Sequence, residues 1–427
     1  MQDTTKRMAE SVIVIEGGKR LEGEVALAGA KNATLPMLVA ACLGQEPTTL
    51  TNVPAGLHDV KVMLDLLQAV GADVDIQGRT VTLSKGSLNS EHIPIDCVAT
   101  IRSSLLLLGL FLGLGMDISI PDSGGCDIGE RKCDLHLMGL KRLGADIKET
   151  SDGIHASARK LTGDNIEFYL PSTTGTQNII LAALQADGET VIKNANTRPE
   201  NMEFAKLLNA MGGKVEARNR IVKVEGVKQI RGGVTFEIMN GWDEAVTYMV
   251  AAGVTGGEIM IREMTTEYIK SDVKYLRESG VEVFEWGHNL YVKSNTPLKR
   301  FDLFTAPYPG VNSDMQPIFT SLALAALGES TITDMRFTDR FRYIEELKKF
   351  NADINVYGNC AVINGGRKLS GAKVRATDLR GGAAVVICGL QTEGESQISN
   401  TYQIERGYED VVANLNRVGA TICYSNR

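Results

Sequence analysis

A phrase of eight residues recurs six times along the chain at a spacing of about 70 residues, and this repeat constrains the fold more than any other feature. Each copy begins with Leu, has Gly or Asn at its fifth position and ends in Val or Ile. The copies are L-Q-A-V-G-A-D-V, L-K-R-L-G-A-D-I, L-N-A-M-G-G-K-V, L-R-E-S-G-V-E-V, L-K-K-F-N-A-D-I and L-N-R-V-G-A-T-I. A residue that tolerates a left-handed conformation, followed by β-branched positions, is typical of a helix end that leads into a strand.

An apolar helix precedes the repeated phrase in every copy. These helices are apolar on all sides, so each must be enclosed by the rest of the chain. They are predicted at Thr34–Leu43, Ser103–Leu114, Asn178–Gln185, Glu244–Ala252, Met315–Ala326 and Ala383–Gln391. Each copy therefore reads as strand, buried helix, strand, amphipathic helix, strand, strand (βαβαββ).

This pattern predicts the α/β class, with helices inside and sheets outside. Three copies are expected in each of two domains, with the break near Phe236–Gly241. One domain would comprise residues 1–30 and 239–427, which hold repeats 4–6 and an N-terminal strand. The other would comprise residues 31–238, which hold repeats 1–3 and a loop around Cys126.

Charge and cysteine usage exclude several functions. The net charge of −7, from 45 basic and 52 acidic residues, argues against nucleic-acid and anionic-membrane partners. Seven cysteines without a C-x-x-C pair, and five scattered histidines, give no zinc pattern and indicate reduced thiols in the cytoplasm. The most apolar segment, Leu105–Met116, is too short to span a bilayer, and the N-terminus has no apolar run of the signal-peptide type.

Several basic residues occupy equivalent places in the repeats. Lys31, Arg102 and Arg380 each come just before an apolar helix, where the helix dipole opposes a cation. Arg340 and Arg406 each lie between a strand and an amphipathic helix. Any one alone is more simply a solvated surface charge. Together with Arg131 they predict a site for a small, highly anionic substrate such as a phosphorylated carboxylate, which suits bidentate arginines.

Two further residues are candidates for chemistry. Cys126 follows two glycines and lies near Arg131, and a nearby cation lowers the pKa of a thiol and makes it reactive. The alternative is a surface loop with an incidental cysteine. Asp314 precedes the fifth apolar helix, where Ser313 or Asp314 could be a helix cap. The functional alternative is that Asp314 is a general base for a substrate hydroxyl.

The motifs around these residues resemble those of the enolpyruvyl transferases, and the resemblance covers essentially the full chain. They are G-A-K-N-A-T-L-P, I-R-S-S, G-G-C-D-I-G-E-R with D-L-H, T-A-P-Y-P with S-D-M-Q, D-R-F, A-T-D-L-R and I-E-R-G-Y-E. The resemblance implies two inside-out α/β barrel domains of three units each, with phosphoenolpyruvate bound in the cleft between them. It implies neither a metal nor an organic cofactor.

The resemblance also implies roles for individual residues. Lys31, Arg131 and Arg406 would hold the phosphate, Arg340 and Arg380 the carboxylate, and Arg102 would help to close the cleft. Cys126 would act as an acid and be alkylated by fosfomycin, and with Asp314, Lys31 and Arg406 would form the catalytic set. Asp59 and Asp378 match further positions of the site. The acceptor would be bound by Asn32, Arg102, Asp134, Leu135, His136, Ser172, Thr173, Thr174, Asp314 and Met335.

The branch that the motifs match transfers to the 3-hydroxyl of UDP-N-acetylglucosamine, in the first committed step of peptidoglycan precursor synthesis. Three departures put this acceptor in question: Thr173-Thr174 in a phosphate-binding segment that usually reads P-S-V-G-A-T, Lys132-Cys133 before D-L-H, and Arg198 in place of a glutamate. An alternative acceptor is uridine monophosphate, and a further alternative is a catalytically silent nucleotide-binding homologue. Shikimate 3-phosphate is less expected, since the Cys126 loop and D-L-H resemble the nucleotide-sugar branch.

Overall fold

The computed structural model describes residues 11–91, 93–121, 124, 132–294 and 297–426. Two of the predicted site residues, Cys126 and Arg131, lie outside these ranges. The described residues form two compact units, one of residues 28–239 and one of residues 11–27 with 240–426. The N-terminal strands β1 (Ser11–Glu16) and β2 (Glu22–Val25) therefore belong to the second, discontinuous unit.

The unit of residues 28–239 has helices that are interleaved with short strands. Its helices are α1 (Lys31–Ala41), α2 (His58–Ala69), α3 (Ile95–Thr100), α4 (Leu106–Gly113), α5 (Asp134–Arg142), α6 (Thr173–Ala183) and α7 (Pro199–Ala210), with a 3-10 turn at Arg102–Leu105. Its strands are β3 (Gly44–Glu46), β4 (Thr48–Thr51), β5 (Asp73–Gln77), β6 (Thr80–Ser84), β7 (Ile118–Ile120), β8 (Asp146–Thr150), β9 (Gly153–Ser157), β10 (Asn165–Glu167), β11 (Glu189–Lys193), β12 (Val215–Arg218), β13 (Ile221–Glu225), β14 (Ile230–Gly232) and β15 (Thr235–Glu237). The main sheets run β15-β4-β6-β5, β7-β9-β8 and β10-β11-β13-β12.

The unit that contains residues 240–426 repeats this plan. Its helices are α8 (Trp242–Val254), α9 (Lys270–Glu278), α10 (Gln316–Ala325), α11 (Ile344–Lys348), α12 (Leu379–Gln391), α13 (Tyr402–Glu405) and α14 (Val411–Arg417), with 3-10 turns at Thr266–Ile269 and Ser313–Met315. Its strands are β16 (Glu258–Ile261), β17 (Val281–Trp286), β18 (Asn289–Ser294), β19 (Leu298–Lys299), β20 (Asp302–Phe304), β21 (Ala326–Thr333), β22 (Asp353–Tyr357), β23 (Cys360–Gly365), β24 (Lys373–Arg375), β25 (Glu395–Ser399) and β26 (Thr421–Asn426). Its sheets run β17-β18-β16-β2, β19-β21-β23-β22 with β20 beside β21, and β24-β25-β1-β26.

The third copy shows the predicted βαβαββ order directly, because β10 runs parallel to β11 and the hairpin β12–β13 completes its sheet. In three other copies, one strand of the sheet comes from a distant part of the chain, which the repeat alone does not reveal. The first copy takes β15, with Phe236 opposite Leu50. The fourth takes β2, with Glu24 opposite Met260. The sixth takes β1, whose Ile13 lies opposite both Ile398 and Tyr424.

The prediction of enclosed apolar helices is confirmed, but several helices begin earlier than predicted. Every residue of α4 and α8 is buried. Helix α6 begins at Thr173 and not at Asn178, and α12 begins at Leu379 and not at Ala383. The extra first turns are polar or glycine-rich, so the apolar pattern does not include them.

The six helix ends that the repeat predicts are confirmed by their backbone. All six residues at the fifth position of the phrase have a left-handed conformation, which glycine adopts without steric cost and asparagine with little. Their φ angles are 96° at Gly71, 103° at Gly144, 99° at Gly212, 98° at Gly280, 70° at Asn351 and 93° at Gly419.

The central helices of the first unit approach each other closely. A Cβ atom on Gly109 of α4 would lie 2.2 Å from the carbonyl oxygen of Asn178 on α6, so only glycine fits there. The buried Asn178 side chain uses this closeness: its Oδ1 accepts the Gly109 N–H at 2.7 Å and its Nδ2 donates to the Leu105 carbonyl at 2.9 Å. Within the described residues, no helix is long and apolar enough to cross a membrane.

Candidate active site

In the unit that contains residues 240–426, Asp314 and Arg340 form an ion pair. The Arg340 Nη2 donates to Asp314 Oδ1 at 2.9 Å, and the arginine side chain is 3% exposed while the aspartate is 32% exposed. The N-cap of the turn at Ser313–Met315 is Asn312, whose side chain accepts from the Asp314 N–H. The alternative that Ser313 or Asp314 caps this segment is therefore wrong. The Asp314 carboxylate is instead held by a buried guanidinium and remains reachable by a substrate hydroxyl.

A buried carboxylate that sequence reasoning missed, Asp334, organises the chain on both sides of this pair. It accepts hydrogen bonds from the Ser313 hydroxyl and from the backbone N–H of Arg336 at 2.8 Å and Phe337 at 3.0 Å. Since Ser313 precedes Asp314 and Phe337 precedes Arg340, these bonds hold both segments. The neighbouring Met335 is 65% exposed, as the prediction of an acceptor contact requires.

Arg380, predicted just before the sixth apolar helix, lies in the first turn of α12 because this helix begins earlier than predicted, and it is 4% exposed. Its Nη2 donates to Asp243 in the first turn of α8, and its Cζ lies 5.0 Å from the centre of the Tyr408 ring. Asp378 is the N-cap of the same helix, and its Oδ1 accepts the N–H groups of Arg380 at 3.0 Å and Gly381 at 3.1 Å. Asp378 thus fixes the backbone that carries Arg380, in addition to any part it plays in catalysis.

Arg406 follows α13 and is also buried, with its Nη1 3.4 Å from Gln403 Oε1. Tyr408 lies two residues on and is buried as well. Burial raises the pKa of the Tyr408 hydroxyl, and the positive charge of Arg380 acts in the opposite direction. The segment from Arg406 to Tyr408 therefore places polar groups inside the unit and not on a solvated face.

In the unit of residues 28–239, Lys31 is the first residue of α1 and pairs with Asp59 of α2, with 3.0 Å between Nζ and Oδ2. Asn32 is the next residue and is half-buried. Arg102 begins the 3-10 turn and is also half-buried. Both cations lie at helix starts, as predicted.

Three of the predicted cations have a carboxylate partner close by. Lys31, Arg340 and Arg380 each have a carboxylate partner inside their own unit, namely Asp59, Asp314 and Asp243. The sequence argument treated these cations as uncompensated charges, and this part of it is corrected. Each carboxylate sets the direction of its cation while reducing the local positive charge.

His136 on α5 is buried and bonded at both ring nitrogens. The Asn178 Nδ2 lies 3.0 Å from His136 Nδ1, and Thr174 Oγ1 lies 3.2 Å from Nε2. The Asn178 amide is oriented by the Gly109 N–H, which bonds its oxygen, so its nitrogen faces the histidine. His136 Nδ1 must then accept, and Nε2 carries the proton and donates to Thr174.

Two threonine hydroxyls at the start of α6 each accept a hydrogen bond from an oriented side chain. Thr174 Oγ1 accepts from His136, and Thr173 Oγ1 accepts from Asn196 Nδ2 at 3.1 Å. The Asn196 amide is oriented too, since its Oδ1 accepts the Arg198 N–H at 3.0 Å. Among the described residues neither hydroxyl has another side-chain acceptor, so both protons can be donated to a group such as a phosphate oxygen.

The glycine in this segment has a packing role. Ser172 caps α6 by accepting the Gly175 N–H at 3.1 Å, and a Cβ atom on Gly175 would lie 2.7 Å from the Ser172 hydroxyl. Gly175 is buried within the helix and makes room for this cap. Thr174, the residue before this glycine, therefore presents a hydroxyl at the start of α6.

We expect ring ¹⁵N spectra of the protein to show His136 as the Nε2–H tautomer, because Asn178 fixes Nδ1 as an acceptor. Substituting Asn178→Ala should remove that preference, whereas Gln397→Ala, which changes an amide in the other unit, should not. A spectrum of the unsubstituted protein with the proton on Nδ1 would contradict the orientation assigned to the Asn178 amide.

The segment before and within α5 contains the second departure. Asp134 is exposed, and its Oδ2 accepts from the hydroxyl of the exposed Tyr169 at 2.6 Å. Leu135, in contrast, is buried in the hydrophobic core of the unit. Burial raises the pKa of the Cys133 thiol, and the charge of Arg102 acts in the opposite direction. In this segment Lys132 and Asp134 are exposed, whereas Leu135 and His136 are buried.

The guanidinium of Arg198, the third departure, forms an ion pair inside the unit. Its Nε and Nη2 donate to the two carboxylate oxygens of Glu200 at 3.0 Å and 2.8 Å. The arginine and glutamate side chains are 9% and 1% exposed. The charge of Arg198 is therefore compensated by a buried glutamate in the same unit.

The described residues contain no side-chain cluster that supports metal or thiol chemistry. No group of three or more His, Cys, Asp or Glu residues there is arranged to hold a metal ion. The cysteines that the structure describes, which do not include Cys126, are all unbridged. Burial raises the pKa of Cys42 to about 12, so this thiol is inert.

Sequence reasoning missed five residues that set the geometry of the site: Asn178, Asp243, Asp334, Glu200 and Tyr169. Acidic residues in the first turn of a helix are common because they favour the helix dipole, so Asp243 gives no distinctive signal. Asn178 was predicted as the first residue of its helix, where asparagine is a common cap, so its buried role gave no distinctive signal either.

The comparisons with known proteins define the class. The EPSP synthase (3-phosphoshikimate 1-carboxyvinyltransferase) family model matches residues 15–415. The chain belongs to this family. Its fold is shared with the crystal structure of the enolpyruvyl transferase NikO from Streptomyces tendae, at a TM-score of 0.88 and 23% identity over 98% of this chain and 100% of that one. The predicted α/β fold of this family is confirmed.

Within the family, the chain is similar to curated proteins of one kind. It is 40% identical over 413 residues to the UDP-N-acetylglucosamine 1-carboxyvinyltransferase of Desulfosudis oleivorans, covering 96% of this chain and 98% of that one. It is 38% identical to the protein of the same name from Nitratidesulfovibrio vulgaris, over the same shares of the two chains.

Proposed function

We propose that this chain transfers the enolpyruvyl group of phosphoenolpyruvate to the 3-hydroxyl of UDP-N-acetylglucosamine and releases phosphate. The observation that carries the proposal is the full-length similarity, at 40% identity, to curated UDP-N-acetylglucosamine 1-carboxyvinyltransferases. The pair of Asp314 and Arg340 supports it, because a carboxylate able to accept a hydroxyl proton lies 2.9 Å from a guanidinium able to bind a carboxylate.

The reaction can be written with the residues of this chain. An acid, proposed to be Cys126, protonates C3 of phosphoenolpyruvate and leaves C2 electron-poor. The acceptor hydroxyl attacks C2 while Asp314 takes its proton. The bond between C2 and the phosphate oxygen then breaks, phosphate leaves and C3 loses a proton, which restores the double bond. No electrons are gained or lost overall.

The cations position the substrate and stabilise charge. Lys31, Arg131 and Arg406 are proposed to hold the phosphate, and Arg340 and Arg380 the carboxylate. Residues 1–30 and 239–427 are proposed as the catalytic domain, and residues 31–238 as the domain that binds most of the acceptor. The hydroxyls of Thr173 and Thr174 are proposed to donate to the acceptor's phosphates, with Asp134 and Met335 as further acceptor contacts.

The other acceptor considered from the sequence, uridine monophosphate, is less favoured. Arg198 is one of the three departures that put the nucleotide-sugar acceptor in question, and its guanidinium is bound by Glu200. The other two departures leave groups that can contact a nucleotide sugar. Thr174 keeps a hydroxyl donor, and Asp134, which follows Lys132-Cys133, is exposed.

The function is tested by phosphate release from phosphoenolpyruvate with UDP-N-acetylglucosamine, with uridine monophosphate and without acceptor. Release with UDP-N-acetylglucosamine alone supports the proposal. Release only with uridine monophosphate would replace the acceptor, and silence in all three while phosphoenolpyruvate binds would indicate a binding protein.

Cys126→Ser should abolish covalent labelling by fosfomycin, since the proposal makes this thiol the reactive one. Cys133→Ser is the matched control. Because burial raises the pKa of the Cys133 thiol, fosfomycin should not label it, and this substitution should leave the labelling of the protein unchanged. Intact-protein mass spectrometry reads the stoichiometry. Unchanged labelling of Cys126→Ser would remove Cys126 from the mechanism.

A further inference from the structure

The guanidinium of Arg380 is held from two sides by residues that no similarity assigns to the site. Asp243 accepts from its Nη2, and the Tyr408 ring lies against it with 5.0 Å between ring centre and Cζ. All three residues are buried and belong to the unit that contains residues 240–426. An arginine packed against an aromatic face and bonded to a carboxylate has little freedom to rotate.

Both holding groups are themselves fixed. Asp243 Oδ1 accepts the Glu244 N–H at 3.1 Å, so its carboxylate is anchored to the first turn of α8. The Thr247 hydroxyl donates to the Asp243 carbonyl at 3.0 Å. The Tyr408 hydroxyl, 2.9 Å from Thr247 Oγ1, must therefore be the donor in that contact. One turn of α8 thus positions both the aspartate and the ring.

One nitrogen of this immobilised group has no partner of its own. The Nη1 of Arg380 is buried and makes no hydrogen bond to any residue that the structure describes. Buried guanidinium N–H groups are rarely left in this state, because the desolvation cost is high. An anion that reaches Nη1 would remove this cost, and a carboxylate matches the geometry of the group.

We propose that Asp243, together with the ring of Tyr408, is a positioning residue that orients Arg380 so that Nη1 binds the carboxylate of phosphoenolpyruvate. This inference rests on the proposed function and adds to it a residue 137 positions away in the sequence. Asp243 does not touch the substrate. It acts by fixing one edge of the guanidinium and leaving the other for the ligand.

The test compares Asp243→Ala and the milder Asp243→Asn with the unsubstituted protein. Calorimetric titration measures binding of phosphoenolpyruvate and, separately, of inorganic phosphate, which lacks the carboxylate. Asp243→Ala should weaken phosphoenolpyruvate binding by about 10- to 100-fold, the range for loss of a charge-assisted bond, and Asp243→Asn by less. Phosphate binding should change by less than about two-fold, because Arg380 is assigned to the carboxylate.

Asn414→Ala is the matched control, since it removes a buried hydrogen bond to Tyr248 on the same helix without touching Arg380. It should lower stability but leave both affinities unchanged. Equal weakening of phosphate and phosphoenolpyruvate, or unchanged phosphoenolpyruvate binding in both Asp243 variants, would overturn the inference. Failure of the unsubstituted protein to release phosphate with any acceptor would instead overturn the proposed function, and the binding comparison would still decide the role of Asp243.

Discussion

Asp314→Asn should lower kcat by about 10²- to 10⁴-fold, the usual contribution of a general base, while phosphoenolpyruvate binds almost as before. Asparagine keeps an oxygen that can accept from Arg340 Nη2, which lies 2.9 Å from the native carboxylate. The guanidinium should therefore stay in place, and only proton abstraction should be lost. Steady-state phosphate release and a direct phosphoenolpyruvate titration separate the two effects.

Asp339→Asn is the control for this experiment, because Asp339 pairs with Arg342 on the exposed surface of the same segment. Exposed pairs of this kind contribute about 0–1 kcal/mol, so activity should be unchanged. If Asp314→Asn weakened phosphoenolpyruvate binding and left kcat intact, Asp314 would be a positioning partner of Arg340. Full activity would exclude both roles.

Glu200→Gln should destabilise the protein by about 3–5 kcal/mol, because it leaves the buried Arg198 guanidinium without its carboxylate. Urea denaturation followed by circular dichroism measures the change. The double variant Arg198→Met with Glu200→Leu should recover most of the stability, since apolar side chains of similar volume replace the ion pair.

The same double variant decides between the two interpretations of Arg198. If this residue serves only the fold, the KM for the nucleotide-sugar acceptor should stay within about two-fold of the unsubstituted value. A large rise in that KM with normal stability would restore the interpretation that Arg198 contacts the acceptor.

Much of the fold could be predicted from the sequence because its signals are local. The left-handed residue at the fifth position of each phrase, including Asn351, is predictable from the repeated pattern alone. The strands that come from distant parts of the chain are not, since β15 and β1 have ordinary strand sequences whose pairing depends on distant partners. The polar first turns of α6 and α12 were missed because an apolar pattern cannot extend into residues such as Thr173.

The site was predictable to the same extent. Lys31, Arg340 and Arg380 were found from their places in the repeat, but their carboxylate partners come from other elements. Asp243, for example, is 137 residues from Arg380. Whether Arg198 faces a ligand or an internal glutamate is likewise a tertiary question. Charge in a sequence indicates where a site lies, and only the packed structure shows which charges are already compensated.

The interleaving of the chain has a consequence for its synthesis on the ribosome. The described residues of the range 28–239 form one unit, and its last strand to emerge is β15. Strands β1 and β2 are made before this unit, yet their partners, β16, β25 and β26, are all made after it. We therefore expect the inner segment to fold co-translationally while the two leading strands stay unpaired, with edges open to aggregation or chaperone binding. The sheet that holds β1 could be completed only after β26 has emerged.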